Sequence, residues 1–286
     1  MKKLAYATLL VIAAVVLLAF FGFGNSKDVE PNANDNDFVI KISDNCRKTG
    51  IPFSDNSAFT LDKLLPQSQY NYPIYDHRYF ILGYAPSHKQ AAWVEWLLTK
   101  QRVVTKTTKR LDNFREDSSL AFCPSTLEDY KRSGYARGHI CPSADMLWDV
   151  NANSETFLLS NMSPQVKEFN DGRWNELEIA CRSWAIKNDS VLIISGPIFK
   201  NPKKTIGKGK VTVPSSYFKI VIDISFPKCK AIAFIMPNER LEKGIFNYAT
   251  TIKDIENQTG LNFFPDYDKD DLIRRLETTI DTLSWK

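Results

Sequence analysis

Hydrophobic positions fall into dense runs separated by polar and Pro- or Gly-marked breaks. Residues 79–84 are rich in strand formers and stop before Pro86, which predicts a strand. In residues 89–100, Trp93, Trp96 and Leu97 recur at helical spacing and predict a helix. A basic, polar segment (102–117) and a polar approach (129–134) follow. Residues 156–159 predict a short strand that delivers Asn161 and is broken by Ser163-Pro164. A helix from about Asp171 to Ile186 comes next, with Trp174, Leu177, Cys181, Trp184 and Ala185 as its buried stripe. Residues 191–195, 218–224 and 231–236 are continuous apolar runs, the pattern of central strands covered on both faces. Leu272, Ile273, Leu276, Ile280 and Leu283 stripe a C-terminal helix. There is no internal repeat. The fold class this predicts is α+β, a central mixed or antiparallel sheet flanked by helices.

The first hydrophobic run stands apart. Lys2 and Lys3 precede an uncharged stretch, residues 4–23, of about the ~20 residues that span a bilayer. Its length favours an uncleaved anchor, whereas Gly22-Phe23-Gly24 offers small residues at alternate positions for signal cleavage. Residues 1–24 are therefore expected to be a signal peptide or an N-terminal membrane anchor. Either keeps the lysines on the cytoplasmic side and exports the rest, to the periplasm or outside the cell. Residues 25–60 read as a flexible tether and leading segment, and residues 61–286 as one folded domain.

A net charge of +4 does not by itself announce a nucleic-acid binder. Its distribution says more: Lys200, Lys203, Lys204, Lys208 and Lys210 form a run with no acid between them. That run reads as a solvated loop or as a loop that contacts phosphate. The five cysteines show no paired metal-ligand spacing, which argues against zinc. Cys141 and Cys181 lie on elements expected to pack together and read equally as a disulfide pair or as ordinary buried thiols.

Chemistry concentrates between Arg137 and Arg182. Only three histidines exist, His77, His88 and His139. The first two suit surface or capping roles. His139 follows Arg137 and Gly138, and Asn161, Asn170, Glu178 and Arg182 come after it. A histidine can take a proton from water near neutral pH, and an arginine can hold a phosphate. Asparagine and glutamate oxygens suit a hydrated Mg²⁺.

The segments "ARGHICPSADM" and "LSNMSPQVKEFNDGRWNELEIACR" resemble the DNA/RNA non-specific endonuclease family, the endonuclease G-like nucleases with a ββα-metal site. The likeness runs from about Tyr72 to the C-terminus. It implies a metal-dependent endonuclease acting on DNA and RNA with little sequence preference. It also implies His139 as general base, Asn170 as the direct ligand of Mg²⁺ (or Mn²⁺), and Glu178 acting on the metal through water. Asn161 would shape the site around His139, and Arg137 and Arg182 would neutralise phosphate. Arg110 matches a further family arginine, with Arg115 as its rival. The family commonly has Asp before the Arg-Gly-His, and this chain has Ala136. Two other readings stand beside this one: a different metal-dependent phosphodiesterase, and a non-catalytic nucleic-acid binder. An inhibitor protein is a further candidate partner, and nothing in the sequence chooses between monomer and dimer.

Overall fold

Long runs of β-branched and aromatic residues pair into one sheet. The computed structural model describes residues 65–120, 124–202, 204–223, 229–267 and 270–286, all within one compact unit, 42–286. The strands are β1 (Gln67–Ser68), β2 (Ile74–His77), β3 (Phe80–Ala85), β4 (Gln90–Thr99), β5 (Ala136–His139), β6 (Met162–Gln165), β7 (Ser190–Ile198), β8 (Lys204–Ile206), β9 (Val211–Val213), β10 (Ser216–Asp223), β11 (Lys230–Pro237), β12 (Ala249–Thr250) and β13 (Leu261–Asn262). The helices are α1 (Lys100–Val104), α2 (Leu127–Tyr130), α3 (Val150–Glu155), α4 (Lys167–Phe169), α5 (Asn175–Lys187), α6 (Ile252–Thr259) and α7 (Asp271–Thr278). Seven strands form the main sheet in the order β12-β11-β10-β7-β4-β3-β2, and every neighbouring pair is antiparallel.

Both faces of this sheet are covered, as the continuous apolar runs require. On one face Tyr217, Val221, Ile193 and Phe234 meet Leu177, Cys181, Trp184 and Ala185 of α5. On the other, Phe218, Ile220, Ile194 and Ala233 meet Ile252 and Ile255 of α6 and Ile273 of α7. Capping explains where α6 starts and stops. Thr251 and Asp254 close a capping box, and Gly260 ends the helix with left-handed backbone (φ 71°).

Several expectations are corrected. Residues 89–100 are not a helix but the strand β4, hydrogen-bonded between β3 and β7. Val94, Trp96 and Leu98 join one core and Ala92, Trp93 and Leu97 the other. A strand apolar on both faces reproduces helical spacing by chance, and periodicity cannot separate the two in a short apolar run. The strand expected at 156–159 is instead turns, and the real strand β6 includes Ser163 and Pro164. The long helix begins at Asn175 rather than near Asp171, because a wide π turn, Asn170–Trp174, precedes it. There Gly172 leaves helical geometry (φ −100°, ψ −118°). At the C-terminus α7 ends at Thr278, leaving Ile280 and Leu283 outside it and exposed. Cys141 and Cys181 are buried free thiols, not a disulfide. Burial raises both, Cys181 to about 12, so they pack as small inert hydrophobes.

Residues 4–23 lie outside the described residues, and among the described ones no helix is long and apolar enough to cross a membrane.

Candidate active site

The site begins at the two-stranded β5–β6 pair, in which His139 lies opposite Met162 and Gly138 opposite Ser163. Gly138 is dictated by space: a Cβ there would lie 2.1 Å from Gln165 Oε1. β6 is tied to the main sheet from behind. Ser163 Oγ donates to Gln90 Oε1 (2.5 Å) and bonds the Tyr217 hydroxyl (2.7 Å), while Asn238 Nδ2 donates to Pro164 O (3.1 Å). These bonds explain why Pro164 does not end the strand.

The turn after His139 is held by Asn161. Its Oδ1 accepts from Cys141 N (2.9 Å), and its Nδ2 donates to Cys141 O and Thr156 O (both 2.9 Å). Asn161 is fully buried and shapes the loop rather than facing substrate. Beside it, Ser160 Oγ donates to Asp117 Oδ2 (2.5 Å), and His77 Nε2 lies 3.1 Å from the same oxygen. His77 is therefore a buried partner of Asp117, not a surface residue. His88 is half-buried, with Nδ1 3.0 Å from Thr212 Oγ1 and its ring stacked on Phe199.

His139 is only 9% exposed and meets Phe157 edge to face (5.0 Å, 90°). Burial, then the charges of Arg110 and Arg137, pushes its pKa down to about 3, so the imidazole is neutral and can accept a proton. Arg137 is exposed and lies over the Phe114 ring (4.0 Å). Arg110 lies over Phe157 (4.9 Å) and donates through Nη1 to Ser143 Oγ (2.8 Å). Its rival Arg115 donates instead to the Asn113 and Ser154 carbonyls.

Glu178 and Arg182 lie one turn apart on α5. Arg182 Nη1 donates to Asp145 Oδ1 (2.9 Å), whose other oxygen accepts from Trp96 Nε1 (3.1 Å). Desolvation, reinforced by Asp145 and opposed by Lys219, Arg182 and Arg110, pushes Glu178 up to about 7. Lys219 is the unexpected member: on β10, 1% exposed, its ammonium over Trp174 (4.5 Å) and Trp96 (5.1 Å). A lone lysine inside an apolar run expected to be covered on both faces was the signal for it. Asp145, six residues after His139, left no such signal, because only its buried contacts reveal its role.

Asn170 caps the C-terminus of α4 and opens the π turn that leads into α5. Its Nδ2 donates to Asp171 Oδ1 (2.7 Å), and it makes no side-chain bond to His139, Glu178 or Arg182. Among the described residues neither Asn170 Oδ1 nor the Glu178 carboxylate has a hydrogen-bond partner. Nor do three His, Cys, Asp or Glu side chains there group as a metal site. An amide oxygen and a carboxylate without a ligand cluster suit Mg²⁺, which keeps most of its waters.

A β-pair bearing Arg-Gly-His, followed by a helical segment bearing Asn, Glu and Arg, invites comparison with known nucleases. Residues 60–270 match the DNA/RNA non-specific endonuclease family. The chain belongs to that family. It is 34% identical over 208 residues to "Nuclease EXOG, mitochondrial" of Danio rerio, covering 67% of this chain and 61% of that protein. It is 34% identical over 200 residues to "Endonuclease G, mitochondrial" of Homo sapiens, covering 65% and 67%. With a "Nuclease" of Nostoc sp. it shares 35% over 219 residues, covering 72% and 77%. The chain thus spans about three fifths of the EXOG relatives' length (61% and 63%). A crystal structure of the EndoG/EndoGI complex, addressing EndoG inhibition, superposes with a TM-score of 0.65 at 28% identity, covering 72% of this chain and 89% of that one. In this family member Ala136, at the resemblance's Asp position, is half-buried opposite Gln165 in the β5–β6 pair.

Proposed function

We propose that this chain is a metal-dependent endonuclease that hydrolyses phosphodiester bonds of DNA and RNA with little sequence preference. The observation that carries the reading is a neutral, desolvated His139 subject to the charges of Arg137 and Arg110, with the Asn170 amide and the Glu178 carboxylate on the following helical segment.

The residues divide the work. His139 takes the proton of the attacking water as its oxygen bonds to phosphorus. A bound anionic phosphate, set against the same arginines, strengthens the imidazole as a base. Arg137 and Arg110 hold the phosphate oxygens, and Arg182, fixed by Asp145, balances charge as the ester P–O bond breaks. Asn170, with Glu178 acting through water, would hold Mg²⁺ or Mn²⁺, which when bound supplies charge stabilisation at the leaving oxygen. Contacts to phosphate and sugar carry no direct sequence information, which fits a non-specific enzyme. The EndoG/EndoGI complex supports a protein inhibitor as a further partner.

Incubating the purified protein with plasmid, linear duplex and RNA, with Mg²⁺ and with EDTA, tests this. Metal-dependent cutting of all three is expected. Binding without cutting would favour the non-catalytic reading, and hydrolysis restricted to small diesters the other phosphodiesterase. Export, which rests on residues 4–23 behind Lys2-Lys3, is tested by C-terminal reporter fusions. A reporter that works only in the cytoplasm, active in such a fusion, would overturn it.

A further inference from the structure

The strand that carries His139 leads along one face to a second cationic group. His139, Arg137 and, just before β5, Tyr135 alternate at two-residue intervals. They are spaced by about 7 Å, the scale of successive phosphates on one nucleic-acid strand. Phe114 ties the line together, packing against the His139 ring (5.7 Å), under Arg137 (4.0 Å) and, with Tyr135, onto one apolar cluster. Lys204 Nζ then lies over the Tyr135 ring (5.1 Å).

Lys204 belongs to the β8–β9 hairpin, and this hairpin is a built arm rather than a solvated loop. Ile206, Val211 and Val213 bury one side of it against Leu159, Met162 and Tyr130. Its turn is pinned: Gly207 has φ +65°, a Cβ there would lie 2.3 Å from Asp129 Cα, and Asp129 Oδ1 accepts from Gly209 N (2.6 Å). The nearby acid is thereby turned inward onto backbone. Lys204, Lys208 and Lys210 stay exposed, with no ion pair among the described residues. No Asp or Glu occurs from Lys200 to Lys210. Three exposed cations on a docked arm, the first of them over the Tyr135 ring two residues before Arg137, suit a polyanionic chain far better than a small diester.

We propose that the β8–β9 hairpin is a backbone-binding arm for the same substrate strand, with Lys204, Lys208 and Lys210 holding phosphates that flank the one at His139. This rests on the nuclease reading above. It makes the enzyme's substrate a polynucleotide, gripped beyond the scissile bond without base reading.

The test is the salt dependence of binding, read by anisotropy of labelled duplex in EDTA, where nothing is cut. Neutralising the arm (Lys204→Gln, Lys208→Gln, Lys210→Gln) should make the slope of log K against log salt shallower by about 0.9 for each lysine–phosphate pair removed, so by about two to three units. Lys204→Arg should keep the wild-type slope, and Lys204→Gln alone should lose about one unit. A control triple on the far side of the sheet, Lys253→Gln, Arg274→Gln and Arg275→Gln, should keep it too. Thermal melts confirm folding, and the single variants decide the matter if the triple does not fold. A wild-type slope in the arm variants, or an equal loss in the control, overturns the arm while Mg²⁺-dependent cutting by the unaltered protein leaves the nuclease reading standing. If the unaltered protein neither binds nor cuts nucleic acid, both readings fall.

Discussion

The two faces of the main sheet bury charge in opposite ways. Under α5, toward the candidate site, Asp145 is 1% exposed, yet each carboxylate oxygen has a donor, Arg182 Nη1 and Trp96 Nε1. Lys219 is equally buried but lies over two indole rings. Under α6 and α7 the packing is mainly hydrocarbon and aromatic; buried Glu256 accepts from Lys253 Nζ and Phe263 N, whereas Glu95, which alternates on β4 with Val94 and Trp96, is 4% exposed. Its Oε2 has no hydrogen-bond partner, and burial pushes its pKa up to about 8. Compensated charge orients side chains. Uncompensated charge only costs stability.

The largest effect should come from the site itself. His139→Ala removes the proton acceptor and should lower cleavage by about 10²–10⁴-fold or more with Mg²⁺ binding retained. Asn170→Ala should instead raise the Mg²⁺ concentration at half-maximal rate. Mg²⁺ titrations of cleavage check both, and rescue of His139→Ala by added Mg²⁺ would undo the assignment.

The next test sets one face against the other. Asp145→Ala strands the Arg182 guanidinium and should cost about 3–5 kcal/mol, and activity with it. Ile255→Ala on the far face should cost a comparable ~2–5 kcal/mol through a cavity. Its rate per folded molecule should stay at the wild-type value. Denaturant melts with kinetics on the folded fraction distinguish them, and equal activity losses would erase the contrast.

Glu95 sharpens the comparison through pH. Its carboxyl stands at about 8 in the folded chain against an ordinary 4.5. The unfolded chain therefore ionises first as pH rises, and stability is lost progressively between those values. Glu95→Met should be the more stable protein, with a melting-temperature gap that widens from pH 5 to pH 8 and reflects on the order of a few kcal/mol at the upper end. A gap independent of pH would show that Glu95 is charged or paired in the folded state. The smallest effect belongs to the α6 cap: Thr251→Ala should cost about 0.5–2 kcal/mol of thermal stability and nothing in catalysis.

The chain's own pattern carried the strands at 191–195, 218–224 and 231–236, because a run apolar at every position fits a sheet covered twice. It carried the stripe of α5 too, since Leu177, Cys181, Trp184 and Ala185 are all buried. It misassigned 89–100 because the apolar positions of a strand covered on both faces fit period two and period 3.6 alike. The Arg-Gly-His motif was legible as chemistry. The need for its glycine was not, since Gln165 comes 27 positions after Gly138 and meets it only across the β5–β6 ladder.

What the sequence determined, then, was the inventory: an α+β chain, a histidine two residues after an arginine, asparagine and glutamate on one following segment, and a lysine run free of acids. Those are local facts of residue type and spacing. Tertiary structure decided which of them act together. It set Arg110 over Phe157 and Arg115 onto backbone carbonyls, turned Asn161 inward, and made Asp145 and Lys219 the buried supports of α5. It also set Lys204, Lys208 and Lys210 on one packed hairpin, with Lys204 over the Tyr135 ring. Such choices depend on contacts between residues far apart in the chain, and their strength is set by burial, which no linear pattern records.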